Sequence, residues 1–239
     1  MTRLRIGTYN IHGCVGVDGR RVPERTVRTL QGLDASVVGL QEVDSRGHTD
    51  PIQGQLGELA SGVGMMGVAG PTLRGPHGHY GNGLLTRLPV NDIALHDLSV
   101  PGREPRGALV VELQTNSGAL HVLVTHLGLA ARERRDQLER LAAITAQIVG
   151  PLVVLGDFNE WTHSRLRRQP FAAGAAAGPR TFPSWCPVLP LDAIFVRPAG
   201  RLERIERLVP RERGTSDHLP LVATLCDPRQ SASARAGPA

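Results

Sequence analysis

The chain has 239 residues, 41% of them hydrophobic and 21% charged, which is ordinary globular material for one large domain or two small ones. No apolar run approaches the length of a membrane span and no leader-like hydrophobic stretch follows Met1, so the expectation is a cytoplasmic protein without a transmembrane segment. The net charge of +5 is carried by Arg alone, without one Lys; this permits an anionic substrate, because guanidinium grips phosphate bidentately, while an aromatic content of 3% argues against a base-stacking platform for single strands.

"RLRIGTYNI", residues 3–11, reads as a strand with Leu4 and Ile6 on one face. "RVPERTVRTLQGLD" follows as a helix opened by Pro23, with Val27 and Leu30 inward. "ASVVGLQEVD" is a short apolar run that ends in Gln41, Glu42 and Asp44. "PIQGQLGELASGVG" suggests a second helix weakened by glycines, and "RGPHGHYGNG" reads as a loop by its Gly, Pro and Asn content. Within that stretch His79 and Tyr80 fit a substrate loop as well as a plain connection. "LLTRLPVNDIALHDLSV" then supplies two strands broken near Pro89.

The second half repeats the plan. "GALVVELQT" and "GALHVLVTHL" are strands meeting at "NSG", where Asn116 and Gly118 tolerate positive φ. "AARERRDQLERLAAITAQIV" is the longest helix, with Leu138, Leu141, Thr145 and Ile148 along one stripe and Asp136 paired with Arg140 on its flank. Its "RERR" reads as a solvated helix face. "PLVVLGDFN", "LDAIFVRP", "RLERIERLV" and "LPLVATLC" are strands, with Trp161 and Trp185 packing locally between them. The tail 227–239, rich in Ser, Ala, Arg and Pro, reads as disordered, and residues 1–226 as one domain. Strands outnumber helices and many are apolar on both faces, which argues for two packed sheets with helices outside.

Polar residues collect where these apolar runs end: Asn10 with His12, Glu42, His126, Asp157 with Asn159, Asp192, and Asp217 with His218. One Asp at a strand end is usually a turn former. Six such places in one chain suggest a shared cleft. Crowded carboxylates repel unless a cation sits among them, and oxygen donors suit a hard ion such as Mg²⁺ or Mn²⁺. Cys14, Cys186 and Cys226 are scattered without CxxC spacing, so zinc and a disulfide framework are not indicated and small buried residues are expected. A hard ion beside imidazole and Arg is equipment for phosphoester hydrolysis.

The fragments "TYNIHG", "LQEVD", "GNGLLTR", "REPRGALV", "VTHLGL", "GDFNEW", "LDAIFV" and "SDHLPLVA" occur in the order found in the endonuclease/exonuclease/phosphatase superfamily, which resembles deoxyribonuclease I. The resemblance runs from about Arg5 to Leu225. It implies an α/β four-layered sandwich of two packed mixed β-sheets flanked by helices, with the site at one edge of the sheets. It further implies Glu42 as principal metal ligand, Asn10 close by, and Asp217 binding or orienting the metal. Asp157 would position or deprotonate the attacking water, and Asn159 would hold the phosphate or that nucleophile. His218 would donate to the scissile phosphate with its tautomer fixed by Asp192, His126 would face the phosphate from the other side, and Arg106 would clamp it.

His12 stands where abasic-site nucleases of the superfamily carry an acidic residue, which argues against abasic-site repair and leaves His12 as a weak metal ligand or, preferred, a donor to Glu42. The stretches "YNIHG" and "THLGL…ERRDQLERL" look most like compact bacterial members and sphingomyelinase-like phosphodiesterases. The resulting expectation is a Mg²⁺-dependent phosphodiesterase, Mn²⁺ being an alternative ion, acting on a small-molecule or lipid-headgroup phosphate ester. A DNA or RNA nuclease is the alternative, and a metal-binding scaffold without catalysis a second.

Overall fold

In the computed structural model, the described residues are 3–48, 50, 53–75, 78–161, 166, 169–172 and 178–226. Eleven strands form two sheets. The first holds β10 (Leu202–Arg207), β11 (Leu221–Leu225), β1 (Leu4–Asn10), β2 (Val37–Arg46), β4 (Gly78–Thr86) and β3 (Met66–Gly75), in that order. The second runs β5 (Val90–Asp97), β6 (Gly107–Thr115), β7 (Gly118–His126), β8 (Leu152–Asp157) and β9 (Asp192–Arg197). Among the described residues only β1 with β2 and β7 with β8 pair in parallel, and helices span both crossovers: α1 (Pro23–Gly32) and α3 (Ala131–Gln147). A third helix, α2 (Gln55–Val63), joins α1 on the outer face of the first sheet.

Strand alternation explains the layers. In β8, Val153 and Leu155 point into the core between the sheets, whereas Leu152 and Val154 face α3 with Leu138 and Leu141. Both faces are covered, so the strand is continuously apolar, as the sequence suggested. In the first sheet, Ile6 and Val37 face inward, while Val38 and Leu40 pack with Leu30, Leu56 and Leu59 of the helices. The four layers are therefore helices, sheet, sheet and helix. The sheets meet closely at Gly39, where an added Cβ would stand 2.2 Å from Cδ1 of Leu155.

Several local expectations change. Residues 74–75 and 78–83 are strand and not loop, belonging to the long antiparallel pair of β3 and β4, and β3 was not anticipated because "MGVAGPTLRG" mixes glycine and proline with few branched residues. The hairpin turn after β6 is present, with Gly118 at φ 111°, while Asn116 keeps negative φ. On α3 the "RERR" face is only half solvated, because Glu133 and Arg134 are buried. Arg140 donates to Ser99 O at 3.1 Å, where an ion pair with Asp136 was expected. Cys14 is buried, but Cys186 and Cys226 are exposed, and all three are free thiols. Trp161 and Trp185 are exposed rather than packed. Residues 227–239 lie outside the described residues, as does most of "AAGAAAGP". Among the described residues, no helix is long and apolar enough to cross a membrane.

Gly156 fixes how β8 delivers its last residue. It sits at φ 148°, opposite Thr125 of β7, and a Cβ there would lie 1.9 Å from the Thr125 carbonyl oxygen. Gly156→Ala is expected to destabilise the fold by about 2–4 kcal/mol through backbone strain and overlap. Urea denaturation of the two chains side by side measures this, and a midpoint equal to that of the parent would contradict it.

Candidate active site

The inward faces of the strands end in polar groups at one edge of the sandwich. Asn10 continues the Ile6–Thr8 row of β1 toward the second sheet, and Asp157 continues the Val153–Leu155 row of β8 toward the first. His126 stands opposite Asp157 in the β7–β8 register, and Asp192 stands opposite it in the β8–β9 register. The meeting is direct. Asn10 Nδ2 donates to Asp157 Oδ2 at 3.1 Å and to Glu42 Oε1 at 2.9 Å.

Glu42 arrives there by breaking the alternation. Gln41 already faces inward, where Thr8 Oγ1 donates to its Oε1 at 3.2 Å, so a regular strand would turn Glu42 toward the helices. Instead the register against β4 slips between Leu40 and Val43, and Glu42 takes φ 58°. A strained bulge thus aims the carboxylate at the sheet edge. Tyr80 of β4 neighbours Glu42 and lies under the Arg46 guanidinium, 5.5 Å from its ring centre. Burial and the neighbouring Glu42 push the Tyr80 hydroxyl pKa well up, which keeps it a neutral donor.

Asp157 and Asn159 share the site, but not by strand periodicity. The chain turns at Asn159, φ 52°, whose N–H donates to Asp157 Oδ1 at 2.9 Å. Its carboxamide Nδ2 donates inward to Leu127 O at 2.8 Å and lies 3.3 Å from His126 Nε2.

The two imidazoles have opposite characters. His218 precedes β11; its Nδ1 is 2.8 Å from Asp192 Oδ2 and its Nε2 3.6 Å from Asp157 Oδ2. Burial would lower its pKa, but the carboxylates of Asp192 and Asp157 outweigh that and raise it to about 10. His126 is lowered to about 3 by burial, against the pull of Asp157 and with repulsion from Arg106 and His218. Arg106 Nη1 faces His126 Nδ1 at 3.3 Å. A guanidinium only donates, so Nδ1 accepts and the neutral ring carries its proton on Nε2, 3.5 Å from Asp157 Oδ2; the Asn159 amide nitrogen beside Nε2, itself a donor, then touches the ring without hydrogen-bonding it. Burial raises the Asp157 carboxyl pKa, with the two histidines opposing.

Other expected site residues sit further out. Arg106 is buried, with Nη1 3.2 Å from Glu104 Oε1, so the expected phosphate clamp is partly engaged within the protein. Asp217 lies 3.3 Å from Ser216 Oγ and 3.8 Å from His12 Nδ1. His12 does not donate its ring to Glu42: Nδ1 faces Val15 O at 3.1 Å, and its backbone N–H donates to Asn10 Oδ1 at 3.0 Å. Ser216 was not singled out from the sequence. Its hydroxyl donates to Asn10 O at 2.8 Å and accepts from His218 N–H at 3.1 Å, tying the His218 loop to β1.

Oxygen donors fit a hard divalent cation. Ligand atoms of Asp157, Asp192 and His218 fall within 4.8 Å of one another, spacing that could hold an ion. However, His218 Nδ1 is taken by Asp192, and the separate carboxylate of Glu42 stands beside the Asn10 carboxamide.

Two mixed sheets between helices, with carboxylates, imidazoles and carboxamides gathered on one edge, define the deoxyribonuclease I-like class of folds. The model of the Endonuclease/Exonuclease/phosphatase family matches residues 7–218, and the chain belongs to that family. Members of the family are hydrolases of phosphoester bonds and use divalent metals. The uncharacterized protein YbhP of Escherichia coli (strain K12) is 30% identical over 242 residues, covering 93% of this chain and 96% of its own. Among solved structures, the endonuclease/exonuclease/phosphatase of Bacteroides vulgatus is similar at a TM-score of 0.73 and 22% identity, covering 95% of this chain and 99% of that one. D. rerio TDP2, complexed with single-strand DNA product, is similar at a TM-score of 0.72 and 17% identity, covering 95% and 100%.

In NMR titration of the metal-free protein, His218 is expected to remain protonated through pH 8.5, with Asp192→Asn lowering its midpoint by roughly 1–3 pH units. A His218 midpoint near the ordinary imidazole value in the parent protein would refute the paired geometry.

Proposed function

We propose that this protein is a Mg²⁺-dependent phosphodiesterase. The observation that carries the reading is the junction at Asn10, which holds the Glu42 and Asp157 carboxylates side by side at the sheet edge. Glu42 and Asn10, with Asp217 as a neighbouring carboxylate, would hold the ion, Mn²⁺ serving in place of Mg²⁺. Bound there, a hard cation supplies neutralisation of the phosphate charge.

The chain's own groups then divide the proton work. Asp157, its pKa raised by burial, takes a proton from water as the new P–O bond forms. His218, held protonated by Asp192, places Nε2–H toward the phosphate and gives that proton to the departing alkoxide. His126 presents a neutral N–H to the same region, and the Asn159 backbone N–H fixes Asp157 through Oδ1. Arg106 contributes positive potential at the phosphate from behind His126. The substrate class favoured is a small-molecule or lipid-headgroup diester.

A nuclease is the second reading, favoured by the net charge of +5 and by the DNA-bound structure of zebrafish TDP2. Salt separates the two: affinity for nucleic acid falls steeply as ionic strength rises, through counterion release, whereas affinity for a small diester falls little.

With bis-p-nitrophenyl phosphate as substrate, Asp157→Ala and His218→Ala are expected to lose turnover by about 10²–10⁴-fold, and EDTA is expected to silence the parent enzyme until Mg²⁺ is restored. Parental rates in either variant, or full activity in EDTA, would overturn the proposal.

A further inference from the structure

Arg134 and Glu160 form an ion pair in which both side chains are more than nine-tenths buried, with Arg134 Nε 2.7 Å from Glu160 Oε1. Buried charges are costly unless their remaining donors and acceptors find partners, so the other contacts of this guanidinium indicate what it is for. Arg134 Nη1 donates to Gly128 O at 3.2 Å and to Leu129 O. One side chain from the first turns of α3 therefore grips two connections at once: residues 127–129, which leave β7 just after His126, and residues 158–160, which leave β8 just after Asp157.

The surrounding packing makes the grip specific. Gly128 N–H donates to Gln137 Oε1 at 2.8 Å, and Gln137 Nε2 reaches Leu98 O at 3.4 Å. Glu133 lies so close over Gly128 that a Cβ there would stand 1.9 Å from its carboxyl carbon. The two gripped connections also touch each other through catalytic groups. Asn159 Nδ2 donates to Leu127 O, and Leu127 N–H donates to Asp157 O at 2.9 Å. Asn159 holds an unfavourable positive φ, and a non-glycine residue stays there only when its surroundings over-determine it. A slip of residues 127–129 against 158–160 would release the Asn159 carboxamide and with it the spacing of His126 from Asp157.

We propose that Arg134, with Glu160, is a positioning residue: an electrostatic clamp that sets the placement of Asn159 and His126 around Asp157 without touching substrate. The kinetic consequence rests on the phosphodiesterase reading, while the geometric one does not. Lys could not substitute, since one ammonium nitrogen cannot span a carboxylate and two carbonyls with the planar reach of a guanidinium.

Removing Arg134 alone would take away the cation beside a buried carboxylate, so the test variant is Arg134→Met with Glu160→Gln, which removes both charges and preserves volume. Two readouts are taken on the full chain: the side-chain amide resonance and solvent exchange of Asn159 by NMR, and kcat with KM for bis-p-nitrophenyl phosphate. The expected result is a shifted Asn159 amide exchanging at least about tenfold faster, and kcat lower by roughly tenfold to a hundredfold at unchanged KM, in a chain whose urea midpoint stays near that of the parent. An unchanged Asn159 amide, or parental kcat, would overturn the clamp and leave the pair as packing only. Were the parent chain inactive on diesters, the phosphodiesterase reading would fail while the amide readout still decided the clamp. Should the double variant fail to fold, Arg134→Lys, which keeps the charge, takes its place with the same expected and overturning results.

Discussion

A single carboxamide holds the two halves of the site together. Asn10 lies at the end of a strand in the first sheet, and its Nδ2 gives one hydrogen to a carboxylate of the second sheet and the other to a carboxylate of its own. Hydrogen bonds to ionised acceptors are stronger than neutral ones, and here they act between two sheets that aliphatic packing and the buried Asn82–Gly107 hydrogen bond also join. The sheets can meet there because Gly39 lets Leu155 approach, and because inward rows on both sheets end at the same level. Without that coincidence the carboxylates would belong to two separate surfaces.

Around this junction the protein arranges charge in opposite senses on either side of Asp157. His218 gains a proton from its partnership with Asp192, and His126 loses one to burial and to the guanidinium behind it. The cleft thus offers a cationic donor, a neutral donor and a carboxylate made more basic by burial, with the two imidazole Nε2 atoms 3.5 and 3.6 Å from Asp157 Oδ2. That division of labour follows from environment and not from residue type, since both rings are histidine.

Much of this was legible in the sequence. The apolar runs marked the strands, and the polar residues at their ends marked the edge where Asn10, His126, Asp157 and Asp192 now stand, because period-two alternation carries core-facing rows straight to those residues. Glu42 and Asn159 were also picked out as polar residues at strand ends, but their geometry was hidden: each reaches the site through a positive φ that no alternation rule contains. Arg134 was misread because its neighbours Arg132 and Arg135 are exposed, and composition alone cannot tell which arginine of a basic run has a buried carboxylate waiting. His12 misled for a related reason: adjacency to Asn10 suggested a shared target, whereas a turn at His12, φ 48°, points its ring toward Asp217. The strand β3 escaped notice because its pairing with β4, and not its own propensity, holds it extended.

The claim on which the account turns is that the strained bulge at Glu42 exists to hold a hard cation next to Asp157. Anomalous X-ray diffraction from crystals soaked in Mn²⁺ locates such an ion directly. The account predicts a peak roughly 2 Å from a Glu42 carboxylate oxygen, on the Asn10 side of the cleft. A peak seated instead between Asp192 and His218, or a Glu42 carboxylate left without metal at millimolar Mn²⁺, would contradict it.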